Sequence, residues 1–185
     1  MTLSLTTRLF DARDAPHVVA LINEAFNGDG AGNKGWTHEA EVMSGNRMDE
    51  QRLAMIMAPE TVQFLVFEHP ECSQSGGLAA CVMLKHLPET CEAYIGQLSV
   101  SLRFQGKGLG NFVLQRAEEW AAQRWGVTGT TMTVLNRRPE LLQWYSRKGY
   151  TETGKIEPYH AWRLEGGRQA YFDDLMLIHM AKRLG

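Results

Sequence analysis

The residues with the clearest chemical potential lie at positions 98–111, in the run Leu-Ser-Val-Ser-Leu-Arg-Phe-Gln-Gly-Lys-Gly-Leu-Gly-Asn. This pattern is typical of a buried strand that enters a glycine-rich turn and continues directly into a long helix. The first N–H groups of a helix have no partner within the helix, and the helix dipole favours negative charge beside them. The segment therefore predicts an anion site, and phosphate is the anion most often bound at such a junction.

Three sequence motifs that bind phosphate-containing ligands are possible for this turn. A P-loop requires Ser or Thr after its lysine, but Gly108 follows Lys107, so no hydroxyl is placed for magnesium. A dinucleotide-binding fingerprint requires glycine or alanine where Asn111 stands. The pattern Gln-x-x-Gly-x-Gly is met by Gln105, Gly108 and Gly110. A structural turn without any ligand is the remaining alternative.

Composition and charge narrow the class of protein. The 185 residues are 44% hydrophobic and 22% charged, which predicts one globular domain over residues 1–185. The formal net charge of −2 favours neither nucleic acid nor an anionic membrane as a partner. Apolar runs such as 78–84 are too short to cross a bilayer, and no signal peptide is recognised. The cysteines at 72, 81 and 91 lack metal-ligand spacing, so we expect reduced thiols, no metal and a cytoplasmic location.

The order of predicted elements indicates an α/β fold, a mixed sheet with helices on both faces. Asp14 is the expected N-cap of the first helix, whereas the segment 36–48 has no clear period. A capped helix is expected over 49–57. The other predicted elements are strands over 6–10, 61–67, 78–86, 93–100 and 130–135, helices over 108–124 and 139–148, and closing strands over 150–153 and 175–180.

The glycine-rich turn resembles the acyl-CoA-binding motif of the GNAT superfamily of N-acyltransferases. Residues 8–15 resemble the opening strand and helix start of that family, and 175–184 resemble its last strand. Residues 144–150, Trp-Tyr-Ser-Arg-Lys-Gly-Tyr, are similar to its Tyr-x-x-x-Gly-aromatic segment, and 138–154 to a bacterial-type branch. The resemblance implies a mostly antiparallel sheet flanked by helices, with a parallel pair of strands that splays at the cofactor site.

The same resemblance implies acetyl-CoA as co-substrate. Backbone N–H groups of the turn would bind its pyrophosphate, and the pantetheine arm would lie beside 130–135, paired like an extra strand with the backbone before the turn. The spacing from Asn136 to Tyr145 is longer than in the commoner family pattern. The implied cofactor contacts are Leu98, Val100, Gln105, Gly106, Lys107, Gly108, Gly110, Asn111 and Asn136.

The implied reaction is attack of an amine on the thioester of acetyl-CoA. The Leu98 N–H would polarise the acyl carbonyl, and Tyr145 matches the family tyrosine that donates a proton to the leaving thiolate. Glu92 is a candidate base, acting directly or through water, and a solvated strand-end carboxylate is the alternative. His86 and His160 are further candidates for the base, or ordinary polar positions.

Trp36 and Glu39 follow the loop where this family has part of its acceptor pocket. A glutamate there would suit a cationic amine, and a solvated helix face is the alternative. We therefore expect an N-acetyltransferase that acts on a small-molecule or peptide amine within a ternary complex. A non-catalytic acyl-CoA sensor and a dinucleotide-dependent oxidoreductase are the rival functions. Dimers are common in this family, and the sequence does not decide the oligomeric state.

Overall fold

A mixed seven-stranded sheet lies at the centre of the protein. The computed structural model describes residues 5–28, 35–36, 38–75, 77–159 and 168–185. Its strands are β1 (Thr6–Leu9), β2 (Met43–Ser44), β3 (Val62–Glu68), β4 (Leu78–Leu87), β5 (Glu92–Val100), β6 (Gly129–Leu135), β7 (Thr151–Pro158), β8 (Gln169–Ala170) and β9 (Met176–Arg183). Its helices are α1 (Ala15–Asn27), α2 (Glu50–Met57), α3 (Leu109–Trp125) and α4 (Pro139–Ser146).

The strand order in the large sheet is β1-β3-β4-β5-β6-β9-β7. All neighbours pair antiparallel except β5 and β6, which run parallel. This topology confirms the expected fold class, a mostly antiparallel mixed sheet flanked by helices. A separate two-stranded sheet of β2 and β8 was not predicted, because each strand has only 2 residues and its partner is distant in sequence.

Helices cover both faces of the sheet. In β3, Phe64 and Val66 pack in a cluster with α1 and α2, whereas Leu65 and Phe67 belong to the cluster that contains α3. Alternate side chains of a strand point to opposite faces, so a strand that is covered on both sides needs a continuous apolar run. The burial of β3 on both faces explains its sequence, Val-Gln-Phe-Leu-Val-Phe-Glu.

The two expected helix caps have different outcomes. The prediction for α2 is confirmed, because the Asp49 carboxylate accepts the Arg52 N–H at 2.7 Å. For α1 the predicted position is correct, since Asp14 is the N-cap residue, but its side chain makes no capping hydrogen bond to that helix. The Asp14 carboxylate instead accepts the Asp11 N–H at 2.7 Å and pairs with Arg8 at 2.6 Å. The hydrogen bond from Arg8 lowers the pKa of Asp14, which anchors the end of β1 instead.

The parallel strands β5 and β6 separate after a short shared stretch. They pair only where 92–94 face 129–131, and beyond Tyr94 each strand continues with its antiparallel neighbour. A β-bulge in β5 accompanies the separation: Gln97 and Leu98 together face one residue of β4, and Gln97 has a φ of 48°. A gap therefore opens between the carboxyl ends of β5 and β6, and the expected splayed pair is present.

A buried polar network joins α3 to the strands β6 and β9. The Tyr150 hydroxyl donates to Glu118 Oε1 at 2.9 Å and lies 2.8 Å from Thr130 Oγ1. Glu118 Oε2 also accepts from Lys182 Nζ at 2.7 Å. Glu118, Thr130 and Lys182 belong to α3, β6 and β9, and Tyr150 directly precedes β7. The network therefore fixes how the helix lies against the sheet.

Replacing Tyr150 with phenylalanine should lower the free energy of unfolding by about 1–3 kcal/mol, since two buried hydrogen bonds are lost. Urea denaturation of the Tyr150→Phe variant measures this change. Tyr171→Phe is the matched control, because that side chain is exposed and its loss should leave stability unchanged. Equal stability of the two variants would show that the network does not contribute.

Candidate active site

A cavity of about 960 Å³ occupies the gap between the parted strands. The ends of β5 and β6, the turn before α3, the helix α4 and parts of the segment 36–47 line it. The lining includes Leu98 and Val100 of β5 and Val134 of β6. Backbone groups that face such a gap lack a strand partner, so an extended ligand can complete their hydrogen bonding.

The turn before α3 ends at the mouth of this cavity. Gly106 and Gly108 adopt left-handed backbone angles, with φ of 73° and 85°, which favour glycine. The Asn111 and Phe112 N–H groups both bond to the Gly108 carbonyl. Within the described part of the chain, the N–H groups of residues 106–110 make no backbone hydrogen bond. The turn therefore presents a row of unpaired donors at a helix N-terminus, which is the geometry of a phosphate site.

Two glycines of the turn have open space beside them. A Cβ placed on Gly106 or Gly108 would meet no atom within 4 Å. A ligand phosphate can therefore reach the backbone of the turn, and a substitution there would be penalised by its backbone angle and not by a clash.

The Gln105 side chain holds this turn in place. Its Nε2 donates to the Val100 carbonyl at 2.9 Å, and its Oε1 accepts the Trp36 N–H at 2.6 Å. The amide thus ties the turn to the end of β5 and to the segment that contains Trp36. Gln105 also lines the cavity, so its predicted cofactor contact stays a prediction beside this positioning role.

Tyr145 lies in the last turn of α4 and lines the same cavity as Leu98. Its ring packs edge-on against Trp144, with centroids 4.7 Å apart, and Trp144 in turn packs against Trp36 at 5.9 Å. Burial raises the pKa of Tyr145 above its ordinary value, against an opposing effect of nearby arginines. Its hydroxyl is therefore neutral and able to donate a proton at pH 7, as a general acid requires.

Comparison with known proteins agrees with this geometry. The model of the acetyltransferase (GNAT) family matches residues 18–150. The chain belongs to the GNAT family. Its resemblance to that family in sequence is thereby confirmed, although no curated protein matches the sequence at a significant level.

Solved GNAT structures share the fold at low sequence identity. The ribosomal-protein-S18-alanine N-acetyltransferase from Escherichia coli is 16% identical over 98% of this chain and 94% of that chain, with a TM-score of 0.69. An IAA acetyltransferase from Bacillus cereus is 17% identical over 98% and 100%, with a TM-score of 0.67. The spermidine/spermine N-acetyltransferase SpeG from Vibrio cholerae is 15% identical over 97% and 92%, with a TM-score of 0.65.

Two basic residues in and beside the glycine-rich turn, Arg103 and Lys107, have different surroundings. Arg103 is held by Glu71, through an ion pair of 2.9 Å and a hydrogen bond to the Glu71 carbonyl. Lys107 is exposed, with its Nζ 5.7 Å from the centre of the Phe104 ring. Lys107 is therefore the better placed of the two to add positive charge beside a bound phosphate.

Three predicted site residues, Lys107, Glu92 and Asn136, do not line the cavity. Lys107 lies on the glycine-rich turn itself, whereas the other two lie elsewhere. Glu92 lies at the opposite end of β5, beside Gly129, and roughly 20 Å of extended strand separates it from Leu98. Asn136 uses its amide on the chain before β9: its Nδ2 donates to the Asp174 carbonyl and its Oδ1 accepts the Met176 N–H. Neither residue lines the cavity. The roles of Glu92 as base and Asn136 as cofactor contact remain predictions without support from these contacts.

The two histidines considered as bases have no described place in the site. His86 stacks on Trp125 with ring centroids 5.0 Å apart, away from the cavity lining. His160 lies outside the described residues.

Glu39 differs most from its expected surroundings. It lies in a loop directly before a turn and not on a helix, and it is buried rather than solvated. Its carboxylate pairs with Arg47 at 2.6 Å and Arg168 at 2.8 Å. Burial acts to raise the pKa of Glu39, but the two arginines outweigh it, so the pKa lies below its ordinary value. Sequence reasoning missed both arginines, because Arg168 is 129 residues from Glu39 and no local motif marks it.

Two further properties concern the described residues alone. In that part of the chain no group of three or more histidine, cysteine, aspartate or glutamate side chains could hold a metal ion. No helix within it is sufficiently long and apolar to span a membrane.

The raised pKa of Tyr145 can be tested by spectrophotometric titration. At about pH 10 an exposed tyrosine is half ionised, whereas Tyr145 in the folded protein should remain neutral. The Tyr145→Phe change should therefore leave the tyrosinate absorbance of the folded protein unchanged and lower that of the denatured protein. A loss of absorbance in the folded state would contradict the assigned burial.

The sign of the linked stability follows from the same raised pKa. The stabilising contribution of neutral Tyr145 is complete below about pH 10 and decreases above it, because the unfolded chain then loses the phenolic proton first.

Proposed function

We propose that the protein is an N-acetyltransferase that moves an acetyl group from acetyl-CoA to an amine by direct attack within a ternary complex. The observation that carries this proposal is the row of unpaired N–H groups at 106–110, which opens onto the cavity that contains Tyr145 and Leu98. Membership of the GNAT family implies acetyl transfer from acetyl-CoA, and these contacts suggest which residues perform it.

In this proposal the CoA pyrophosphate binds the backbone of the turn. Gly106, Gly108 and Gly110 contribute N–H groups, and the space beside Gly106 and Gly108 is open. Asn111 lines the cavity next to them, although its own N–H bonds to the Gly108 carbonyl, and Lys107 adds charge. The pantetheine arm lies in the gap as an extra strand, paired with the backbone of β5 around 98–100. The arm thereby forms hydrogen bonds with backbone groups of β5 that have no partner in β6.

The chemical step joins the amine nitrogen to the acetyl carbon and breaks the carbon–sulfur bond. The Leu98 N–H stabilises the negative charge that develops on the carbonyl oxygen. Tyr145 donates its proton to the departing thiolate, the attacking nitrogen loses its second proton to solvent as the amide forms, and Tyr145 regains a proton from solvent. The ammonium group of the acceptor loses a proton to water before the attack, since Glu92 lies too far along β5 to accept it directly.

The acceptor is proposed to be a small-molecule or peptide amine. The GNAT structures named above are described as acting on a ribosomal-protein alanine and on spermidine or spermine, so the shared fold accommodates both classes. Trp36 lies at the cavity wall, where an acceptor enters. A single domain over residues 1–185 and a cytoplasmic location complete the proposal.

Removal of the Tyr145 hydroxyl tests the proposed general acid. Tyr145→Phe should lower kcat about a hundredfold or more while the dissociation constant of acetyl-CoA stays unchanged, because only the proton donor is lost. Steady-state release of CoA with a panel of amines measures kcat, and Tyr171→Phe serves as the exposed control. Full activity of Tyr145→Phe would contradict the assignment, and tight acetyl-CoA binding by the wild-type protein without turnover would favour the sensor.

A matched pair of glycines tests the cofactor site. Gly108 and Gly126 stand at opposite ends of α3, both with positive φ and both with open space for a Cβ. Alanine at either position should destabilise the fold by about 1–2 kcal/mol through the strained backbone angle. Only Gly108→Ala should also weaken acetyl-CoA binding, by about tenfold or more, as measured by calorimetric titration. Equal affinities of the two variants would place the cofactor elsewhere.

A further inference from the structure

A cluster of charged side chains lines the same cavity as the glycine-rich turn. At its centre the Glu39 carboxylate pairs with both Arg47 and Arg168. The Arg168 side chain is only 2% exposed, and the Arg47 side chain is 20% exposed. Because one buried carboxylate faces two guanidinium groups, the cluster retains an excess positive charge.

The described lining of the cavity also carries a net positive charge. Among the described residues that line it, Glu39 is the single acidic side chain. The charge of Arg138 is compensated by an ion pair with Glu140, a residue outside the lining. The basic residues of the lining are Arg47, Arg52, Lys85, Arg138, Arg147 and Arg168. Such a cavity repels polycations and attracts anionic groups.

Arg168 has a donor that the described protein does not satisfy. Its Nη1 donates to the Tyr159 hydroxyl at 3.1 Å, and its Nη2 donates to Glu39 at 2.8 Å. Its Nε is buried, with almost no accessible surface, and has no hydrogen-bond partner among the described residues. Arg168 therefore adds positive charge behind the cavity wall, and Arg47, the more exposed of the pair, is the arginine that an anionic group can contact.

This cluster is connected directly to the proposed reaction site. Arg47 Nε donates to Gln97 Oε1 at 2.9 Å, and Gln97 is the bulge residue that precedes Leu98. The charge of Arg47 also acts on the Tyr145 hydroxyl. An anionic group bound at Arg47 therefore lies within the reach of a small amine whose nitrogen is beside Leu98 and Tyr145.

We propose that the acceptor amine carries a carboxylate or a phosphonate, and that Arg47, with the charge of Arg168 behind it, binds this anionic group while the amine is acetylated. The inference rests on the proposed acetyltransferase function and names its substrate class. Glu39 then orients the two arginines and does not attract the amine, which replaces the expectation of a cationic acceptor. Polyamines should be poor substrates for the same reason.

Matched acceptors test this inference on the wild-type protein. L-leucine, L-phenylalanine and L-glutamate are each compared with the corresponding α-carboxamide, and aminomethylphosphonate and spermidine complete the panel. The acids should exceed their amides in kcat/KM by about tenfold or more, although amides present more unprotonated amine near neutral pH. Equal or higher kcat/KM for the amides or for spermidine would overturn the inference.

A binding measurement separates failure of this inference from failure of the proposed function. The Tm of the protein saturated with CoA should rise with the acids and not with the amides, whether or not turnover occurs. Acid-selective binding without any thioester cleavage would overturn the acetyltransferase function alone. Equal shifts, or no shift with any acceptor, would overturn the anionic-acceptor inference.

Two substitutions with opposite expected effects exclude a merely structural role. Arg168→Gln should reduce the acid-to-amide ratio of kcat/KM about tenfold, whereas Glu39→Gln should maintain or raise it by freeing positive charge. A purely structural cluster would lose activity on acids and amides equally in both variants. Arg168→Lys should restore part of the ratio, and Arg116→Gln, on the exposed surface of α3, is the control. A raised KM for acetyl-CoA in Arg168→Gln, with an unchanged ratio, would assign the arginine to the cofactor instead.

Discussion

The separation of two parallel strands is the constraint on which the rest of this structure depends. β5 and β6 share register only over 92–94 and 129–131, and the bulge at Gln97 then directs β5 away. A parted pair leaves backbone donors and acceptors that cannot be satisfied within the sheet. In the proposed function, an extended ligand in the gap satisfies these groups.

Contacts from outside the sheet hold the glycine-rich turn in a fixed position beside the gap. Gln105 links the carbonyl of Val100 to the N–H of Trp36, so that one side chain joins the end of β5, the turn and the acceptor segment. Arg138 donates to the Trp36 carbonyl from the start of α4. The glycine-rich turn, the helix α4 and the segment that contains Trp36 therefore form one connected unit, and displacement of one affects the others.

Local patterns in the sequence predicted much of this arrangement. Glycines at 106 and 108, a capping Asp49 and the apolar run of β3 each act on their own neighbours, so their effect is legible in sequence order. The arginine cluster was not predictable in this way. Arg168 meets Glu39 across 129 residues, and only the folded chain shows that a glutamate expected to attract a cation is already neutralised.

Chemical-shift mapping with ¹⁵N-labelled glycine tests the central claim most directly, because the unpaired turn amides are themselves the probes. Addition of CoA should shift the amide resonances of Gly106, Gly108 and Gly110 and leave those of Gly126 and Gly149, which lie away from the cavity lining, in place. The account predicts saturable shifts confined to the turn. No shift at these glycines, or equal shifts at Gly126 and Gly149, would contradict it.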